Sequence, residues 1–254
     1  MKAAIVNYLN TAPLLYGLTH SAELPDLELV LGVPAACARM LDQREVDLSL
    51  LPIGASIGKE IRWIGRYGIG AEGPVRTVVL FSEVPMEQIR HVRLDAHSRT
   101  SLLLIRVLDH YYYRAGWTYK QDDQVSNLKT LGAHEGVLMI GDKVFTHEKR
   151  FGYRYDLAEE WIRLTNLPFV FAAWAAAVPL DSRFIDRFNR AQEFGVENLE
   201  MVVKAYYETR KDTRINLMEY LQKNISYELT EKKWEGIRLF RDLAGRLIRT
   251  GHDK

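Results

Sequence analysis

The chain opens with a strand that runs directly into a polar turn and then into a helix. Residues 3–6 are short, apolar and β-prone, and Asn7, Tyr8 and Asn10 follow them. Residues 11–13 (Thr-Ala-Pro) open the helix, since proline suits a first helical turn. In open α/β sheets, ligands bind outside the carboxyl ends of the strands. Asn10 offers an amide donor and an acceptor there; the alternative is that it only caps the helix.

The rest of the chain repeats this alternation of short apolar runs and helical stretches, which predicts an α/β fold. The predicted strands are 3–6, 27–33, 48–51, 75–81, 91–95, 137–140 and 169–172, and the predicted helices are 34–43, 98–113, 156–164 and much of the chain after 181.

Two extended runs, 75–81 and 169–174, are predicted to cross between two lobes. One lobe then holds residues 1–75 and 176–254, and the other holds residues 76–175. That topology is typical of a two-lobed binding protein with its ligand in the cleft.

Composition excludes several classes of protein. The formal net charge of +1, with basic residues spread throughout, argues against a nucleic-acid partner. The single cysteine, Cys37, forms no internal disulfide and fits a reducing compartment. No run approaches the ~18 apolar residues of a membrane span. Asn7 and Asn10 break any apolar signal core, so a cytoplasmic location is expected.

Several short patterns resemble known motifs without their context. Residues 68–73 match G-x-G-x-x-G, but Pro74 and a strand-like run follow where a dinucleotide site needs a helix, so a turn is predicted. Ser56 and Lys59 match S-x-x-K without its companion motifs. The histidines show no metal-binding spacing, so no dedicated zinc site is expected.

A cluster of hydroxyls with one guanidinium begins the helix after the strand at 91–95. Ser98, Thr100 and Ser101 supply hydroxyl donors, and Arg99 is suited to bind a carboxylate through two hydrogen bonds. Free N–H groups at a helix start also attract anions. The alternative is a well-capped helix with Arg99 in solvent; capping accounts for Ser98 but not for the whole cluster.

Two further polar residues lie at predicted strand ends. Thr77 follows the stiff Gly73-Pro74 turn, and Asp142 follows the apolar run that ends at residue 140. Thr77 either faces a cleft or packs against a neighbouring strand. Asp142 is a cap, an orienting acceptor or a base, and capping is favoured for it.

These segments together resemble the chorismate dehydratases of the futalosine route to menaquinone. The matching residues occur in order from residue 1 to about residue 177, and the later helices match more weakly. The sister family, dihydroxynaphthoate synthase, typically begins with a Ser-Pro-Cys-Pro-Asn-Asp turn, which is absent here. The motifs are Tyr8-Leu9-Asn10-Thr11-Ala12-Pro13-Leu14 with Tyr16-Gly17-Leu18, Gly73-Pro74-Val75-Arg76-Thr77-Val78, Leu94-Asp95, Ser98-Arg99-Thr100-Ser101, Ile140-Gly141-Asp142, Tyr155-Asp156-Leu157 with Glu160-Trp161, and Leu167-Pro168-Phe169-Val170-Phe171-Ala172 with Trp174-Ala175-Ala176.

The resemblance implies a two-lobed, periplasmic-binding-protein-like (type 2) fold that works as a cytoplasmic lyase. It implies dehydration of chorismate to 3-[(1-carboxyvinyl)oxy]benzoate without cofactor or metal. Asn10 matches an active-site asparagine, and Thr77 stands where serine is common. Tyr8 and Phe169 join the expected substrate-binding residues. Lys143, with the valine after it, follows Asp142 where small residues are usual, so this loop is expected to differ.

The identity of the base stays open at this point. Amides and hydroxyls are poor bases at neutral pH, which leaves Asp142 or the substrate's own enolpyruvyl carboxylate. Two other functions also stay open: a non-catalytic solute-binding protein for a small carboxylate, and a sister menaquinone enzyme of the same fold. Nothing in the sequence defines an oligomeric state.

Overall fold

The computed structural model describes residues 1–95, 98–122, 124–125, 128, 130–209 and 215–251. The chain divides into two compact units. Unit 1 comprises Met1–Gly70 and Val170–Glu231, and unit 2 comprises Ala71–Phe169 and Lys232–Lys254. Within the described residues, no helix is long and apolar enough to cross a membrane.

Helices and strands alternate along most of the chain. In chain order the elements are β1 (Lys2–Val6), α1 (Ala12–His20), β2 (Glu28–Gly32), α2 (Pro34–Asp42), β3 (Leu48–Pro52), β4 (Arg62–Ala71), β5 (Val78–Ser82), β6 (His91–Leu94), α3 (Arg99–Val107), β7 (Thr118–Gln121), β8 (Glu135–Ile140), β9 (Tyr153–Asp156), α4 (Leu157–Thr165), β10 (Phe169–Ala176), α5 (Ser182–Glu197), α6 (Leu199–Thr209), α7 (Leu217–Lys223), β11 (Ser226–Glu228) and α8 (Glu231–Arg249). The seven predicted strands are all present. The predicted helix 98–113 forms as α3 followed by a π-helical stretch, Leu108–Tyr113.

The sheet of unit 1 has six strands in the order β11-β4-β10-β3-β1-β2. Strand β1 runs parallel to β2 and β3, and β3 pairs antiparallel with β10. The carboxyl ends of β1, β2 and β3 therefore meet at one edge. The polar turn predicted after β1 lies at this edge.

Helices α1 and α5 of unit 1 approach closely at two glycines. A Cβ on Gly17 would lie 2.0 Å from the carbonyl oxygen of Ala191, and one on Gly195 would lie 1.9 Å from that of Pro13. Any larger side chain would push the helices apart. This contact explains the glycine of the Tyr16-Gly17-Leu18 motif as a packing requirement.

The sheet of unit 2 has five strands in the order β7-β6-β8-β5-β9. Strand β6 runs parallel to β7 and β8, whereas β5 runs antiparallel to β8 and β9. The carboxyl ends of β6 and β8 and the start of β5 therefore share one edge, where Val78 pairs with Ile140. The polar candidates Thr77, Ser98–Ser101 and Asp142 follow or precede the strands that meet at this edge.

An aromatic cluster in unit 2 joins its sheet to the C-terminal helix. The ring of Phe169 lies 5.5 Å from that of Trp161 and 5.1 Å from that of Phe240 on α8, with edge-to-face geometry in both pairs. Tyr111 adds a hydrogen bond to the carbonyl of Leu243 on α8 at 3.3 Å. These contacts place α8 with unit 2.

The observed division differs from the lobe limits expected from sequence, 1–75 with 176–254 and 76–175. The first boundary falls inside β4, between Gly70 and Ala71, and β5 lies wholly within unit 2. The run 75–81 therefore lies within unit 2. Residues 68–71, predicted as a turn, form the end of a long strand instead. The second boundary falls between Phe169 and Val170 in β10.

Candidate functional site

Thr11 stabilises the turn after β1. Its hydroxyl oxygen lies 2.5 Å from the carbonyl oxygen of Val6 and 2.9 Å from that of Tyr8, and it accepts the N–H of Tyr8 at 3.2 Å. The side chain of Thr11 is buried. One hydroxyl therefore closes the 3₁₀ turn Leu9–Thr11 against the end of β1.

Asn10 takes no part in stabilising this turn. The residue is half-buried, and no described residue hydrogen-bonds its side-chain amide. Thr11, not Asn10, occupies the N-cap position of α1. The capping alternative for Asn10 is therefore excluded, and its amide donor and acceptor are available to a ligand.

Tyr8 lies beside Asn10 and is half-buried. It packs against the apolar cluster that joins β1 to α2. Together with Asn7 it also lines a cavity of about 560 Å³ that extends along α1 towards α6. Asn10 is not among the residues that line this cavity.

Unit 2 brings several predicted residues to the edge where β6 and β8 end. The N–H of Gly141 donates to the carbonyl of Thr77 at 2.8 Å, so Thr77 and Asp142 lie on adjacent segments. The buried carboxylate of Asp95, directly after β6, accepts the N–H of Ile140 at 3.2 Å. These bonds join the start of β5 to the end of β8, and the end of β8 to the residue that follows β6.

Thr77 is buried, with 3% of its surface exposed. Its hydroxyl lies 3.5 Å from the carbonyl of Val75, and the residue has a further interaction within the protein. A ligand therefore reaches this hydroxyl only if it competes with an internal partner.

A buried carboxylate shapes the turn before Thr77. Asp156 accepts the N–H groups of Val75 and Arg76 at 3.1 and 2.6 Å. It also accepts those of Ala158 and Glu159 at 3.1 and 3.3 Å, which caps α4. Burial raises the pKa of Asp156 to about 6, and the four N–H donors oppose that rise. Asp156 therefore joins the Gly73-Pro74 turn to the start of a helix.

Ser98 and Ser101 form the first turn of α3. The Ser98 hydroxyl accepts the N–H of Ser101 at 3.3 Å and lies 3.1 Å from the Ser101 hydroxyl. Thr100 and Ser101 are buried. Arg99 is exposed, and no described residue pairs with its guanidinium. Capping therefore accounts for Ser98, while Arg99 remains available to an anion.

Asp142 is half-buried and follows Gly141, whose φ of +83° only glycine adopts readily. The next residue, Lys143, places its ammonium 2.5 Å from the buried carboxylate of Asp95. Sequence reasoning assigned no role to Asp95. The one signal that points to it is an acidic residue at a strand end, in the motif Leu94-Asp95.

Phe169 requires a correction. Its side chain is 1% exposed and fills the aromatic cluster of unit 2 with Trp161 and Phe240. A phenylalanine at the start of a strand matches both a binding wall and a core position, and burial here favours the core. Direct contact between Phe169 and a substrate is therefore not supported.

The part of the chain that the structure describes offers no candidate metal site. No group of three or more histidine, cysteine or carboxylate side chains is arranged to hold an ion there. Cys37 is buried, and burial raises the pKa of its thiol to about 11. A thiol with such a pKa is a poor nucleophile at neutral pH.

A family model described as menaquinone biosynthesis matches residues 1–246. The chain belongs to this menaquinone biosynthesis family. A curated relative, the chorismate dehydratase of Thermus thermophilus, is 27% identical over 259 residues, which cover 94% of this chain and 93% of that protein.

Solved structures place the family member in a known fold. A protein of Archaeoglobus fulgidus matches with a TM-score of 0.70 at 16% identity, over 96% of each chain. A Candida albicans protein described as having the generic periplasmic binding protein fold matches with a TM-score of 0.61 at 14% identity, over 97% of this chain and 94% of that one. The predicted two-lobed, periplasmic-binding-protein-like α/β fold is confirmed.

Proposed function

We propose that the protein is a chorismate dehydratase that forms 3-[(1-carboxyvinyl)oxy]benzoate on the futalosine route to menaquinone. The observation that carries the proposal is the family match over residues 1–246, joined to a relative of that activity whose alignment spans nearly the whole of both chains. The ordered motifs of the first 177 residues support it further. The same proposal assigns the reaction to the cytoplasm and requires no cofactor or metal.

The reaction removes one water from chorismate. The C3–H bond and the C4–O bond break, the C3 proton and the C4 hydroxyl leave as water, and the ring becomes aromatic. The C3 carbon is attached to the ring double bond that carries the ring carboxylate. Removal of the C3 proton therefore moves negative charge towards that carboxylate, where the protein has to stabilise it.

The start of α3 is suited to this charge. Free N–H groups and the helix dipole favour an anion at a helix N-terminus. Because Ser98 and Ser101 already satisfy each other, the turn is held rigid before substrate binds. We assign the ring carboxylate to this helix start, with Arg99 as a second donor. Preorganised donors of this kind stabilise a developing charge without rearranging.

Asn10 and Thr77 are assigned to the leaving group and the side arm. The amide of Asn10 has no hydrogen bond to a described residue, so it is free to orient the C4 hydroxyl. Thr77 retains the hydroxyl of the more usual serine and is assigned to the enolpyruvyl arm. Its burial means that the added methyl packs internally.

We assign the base to the substrate's own enolpyruvyl carboxylate. A well-oriented group gains ~7–11 kcal/mol from proximity, which compensates for a weak base. The alternative base is Asp142, a half-buried carboxylate that already interacts within the protein. Asp142→Asn separates the two: turnover within about threefold of wild type is expected, and a loss above 10³-fold, near the upper end of general-base effects, would identify Asp142 as the base.

The decisive experiment is incubation of the protein with chorismate. We expect the diene absorbance to disappear and the aryl ether to appear in equal amount, detected by chromatography and mass. Chorismate binding without turnover would support a solute-binding protein instead. Turnover of another menaquinone precursor, with chorismate left unchanged, would support a sister enzyme.

A further inference from the structure

Arg76 has an unusual backbone conformation. Its φ is +63°, in the left-handed region that non-glycine residues avoid. Its N–H donates to Asp156 at 2.6 Å, and that of the preceding Val75 donates to the other carboxylate oxygen at 3.1 Å. A strained backbone next to a candidate site requires surrounding structure that holds it in place. Here the carboxylate of Asp156 holds the backbone of Arg76, and the Arg76 side chain is not needed for this.

The Arg76 side chain forms a fork-shaped ion pair with Glu148. Its Nε lies 3.0 Å from one Glu148 oxygen, and its Nη2 lies 2.9 and 3.0 Å from the two oxygens. The guanidinium also stacks over the ring of Phe145 at 5.3 Å. Both charged side chains are mostly buried, with 28% and 19% exposed. A bidentate pair restricts orientation as well as distance.

The two ends of this contact lie on different segments of the candidate site. Arg76 directly precedes Thr77, while Phe145 and Glu148 belong to the segment that begins at Asp142. The backbone bond from Gly141 to Thr77, at 2.8 Å, joins the same two segments. The guanidinium therefore adds a second connection beyond the backbone pairing.

We propose that Arg76 is a positioning residue that holds Thr77 and the Asp142 segment in register. This inference rests on the proposed function for its effect on turnover. Arg76 contacts no reacting atom in this scheme. It acts through Glu148 and Phe145. Loss of the Arg76–Glu148 ion pair lets the Thr77 segment move relative to the segment after β8.

The variant Arg76→Gly separates positioning from simple stabilisation. Glycine adopts a positive φ without strain, so it relieves the backbone cost while it removes the guanidinium. Arg114 provides a matched control in the same unit. It also has a positive φ, +51°, it is exposed, and no described residue pairs with its side chain.

For Arg76→Gly we expect kcat on chorismate to fall about 10- to 100-fold, as small misplacements near a reacting centre do. The KM and the midpoint of thermal unfolding should stay close to those of wild type. Arg114→Gly should leave kcat unchanged. Glu148→Gln should lower kcat similarly, although it also weakens the longer contact of Glu148 with Arg154 at 3.8 Å. The double variant should lose no more than the worse single variant, because both changes break the same Arg76–Glu148 pair.

A kcat for Arg76→Gly within threefold of wild type would overturn the proposal, as would additive losses in the double variant. A wild-type protein that leaves chorismate unchanged would contradict the proposed function instead. In that case hydrogen exchange of the Gly141 amide decides the positioning role. Faster exchange in Arg76→Gly but not in Arg114→Gly supports it, and equal exchange in both overturns it.

Discussion

The turn after β1 in unit 1 and the strand edge of unit 2 differ in which side chains make internal hydrogen bonds and ion pairs. In unit 1, the buried Thr11 hydroxyl satisfies the backbone, and the neighbouring Asn10 amide stays without a hydrogen bond to any described residue. In unit 2, most of the polar side chains at the edge are bonded internally: Ser98 to Ser101, and Lys143 to Asp95.

This difference separates structural from chemical roles. Where a neighbour stabilises the backbone, the candidate catalytic residue can be removed without loss of stability. Where the candidate residues also stabilise the backbone, activity and stability should change together. Each substitution below tests one side of this contrast.

The largest effect is expected from Asn10→Ala. We expect kcat to fall about 10²- to 10³-fold, the usual loss when one positioned donor is removed. The free energy of unfolding should change by less than about 0.5 kcal/mol, since no described residue loses a hydrogen bond. Steady-state turnover of chorismate and urea unfolding measure the two quantities.

Thr11→Val is the control for Asn10→Ala at the adjacent position. It keeps the shape of the buried side chain but removes the hydroxyl that closes the turn. We expect it to destabilise the protein by about 1–3 kcal/mol, since buried backbone groups lose a partner. If Asn10→Ala destabilises the protein by as much as Thr11→Val does, the separation of roles in unit 1 is wrong.

A loss of stability is also expected from Asp156→Asn in unit 2. A carboxyl oxygen can accept an N–H whether or not the group is ionised, whereas the amide NH₂ of Asn cannot, so we expect a loss of about 1–3 kcal/mol near pH 5. Urea unfolding of both proteins across pH measures the loss. Because Asp156 also shapes the turn before Thr77, kcat should fall with it.

The pH dependence of this loss has a definite sign. The pKa of Asp156 is raised from 3.8 to about 6 in the folded protein. Between these values the folded state binds more protons than the unfolded state, so wild-type stability falls as pH rises through this window. Asn carries no proton to lose, so the wild-type advantage over Asp156→Asn should shrink as pH rises from about 4 to about 7. An advantage that grows with pH would show that the N–H donors outweigh burial.

The sequence predicted much of this arrangement because strand ends and helix starts carry local signals. Apolar runs followed by polar turns located β1, β6 and β8, and parallel pairing then brings the ends of β6 and β8 to one edge. Ser98 was identified as a cap from residue type alone. The sequence did not decide whether Asn10 or Thr11 stabilises the turn, because either residue type suits a cap. The hydrogen bonds of Thr11 in the structure decide this question.

The remaining errors come from contacts between distant parts of the chain. The glycines of β4 were interpreted as a turn, yet a Cβ on Gly68 would lie 2.6 Å from the carbonyl oxygen of Ala172 on β10. Glycine within a strand marks such a close approach, and a single sequence does not show the approaching strand. Phe169 was misassigned for a similar reason, since its partner Phe240 lies 71 residues later on α8.

The smallest stability effect is expected at the start of α3, where two adjacent residues divide the roles. Ser98→Ala removes the cap and should cost about 1 kcal/mol of stability. Arg99→Ala should leave stability within about 0.5 kcal/mol, because the guanidinium is exposed and has no described partner. If Arg99 binds the ring carboxylate, Arg99→Ala raises the KM for chorismate about tenfold, corresponding to one charged hydrogen bond. An unchanged KM would assign that carboxylate to the backbone N–H groups of α3 alone, and the edge of unit 2 would then bind its anion entirely through groups that also hold the fold together.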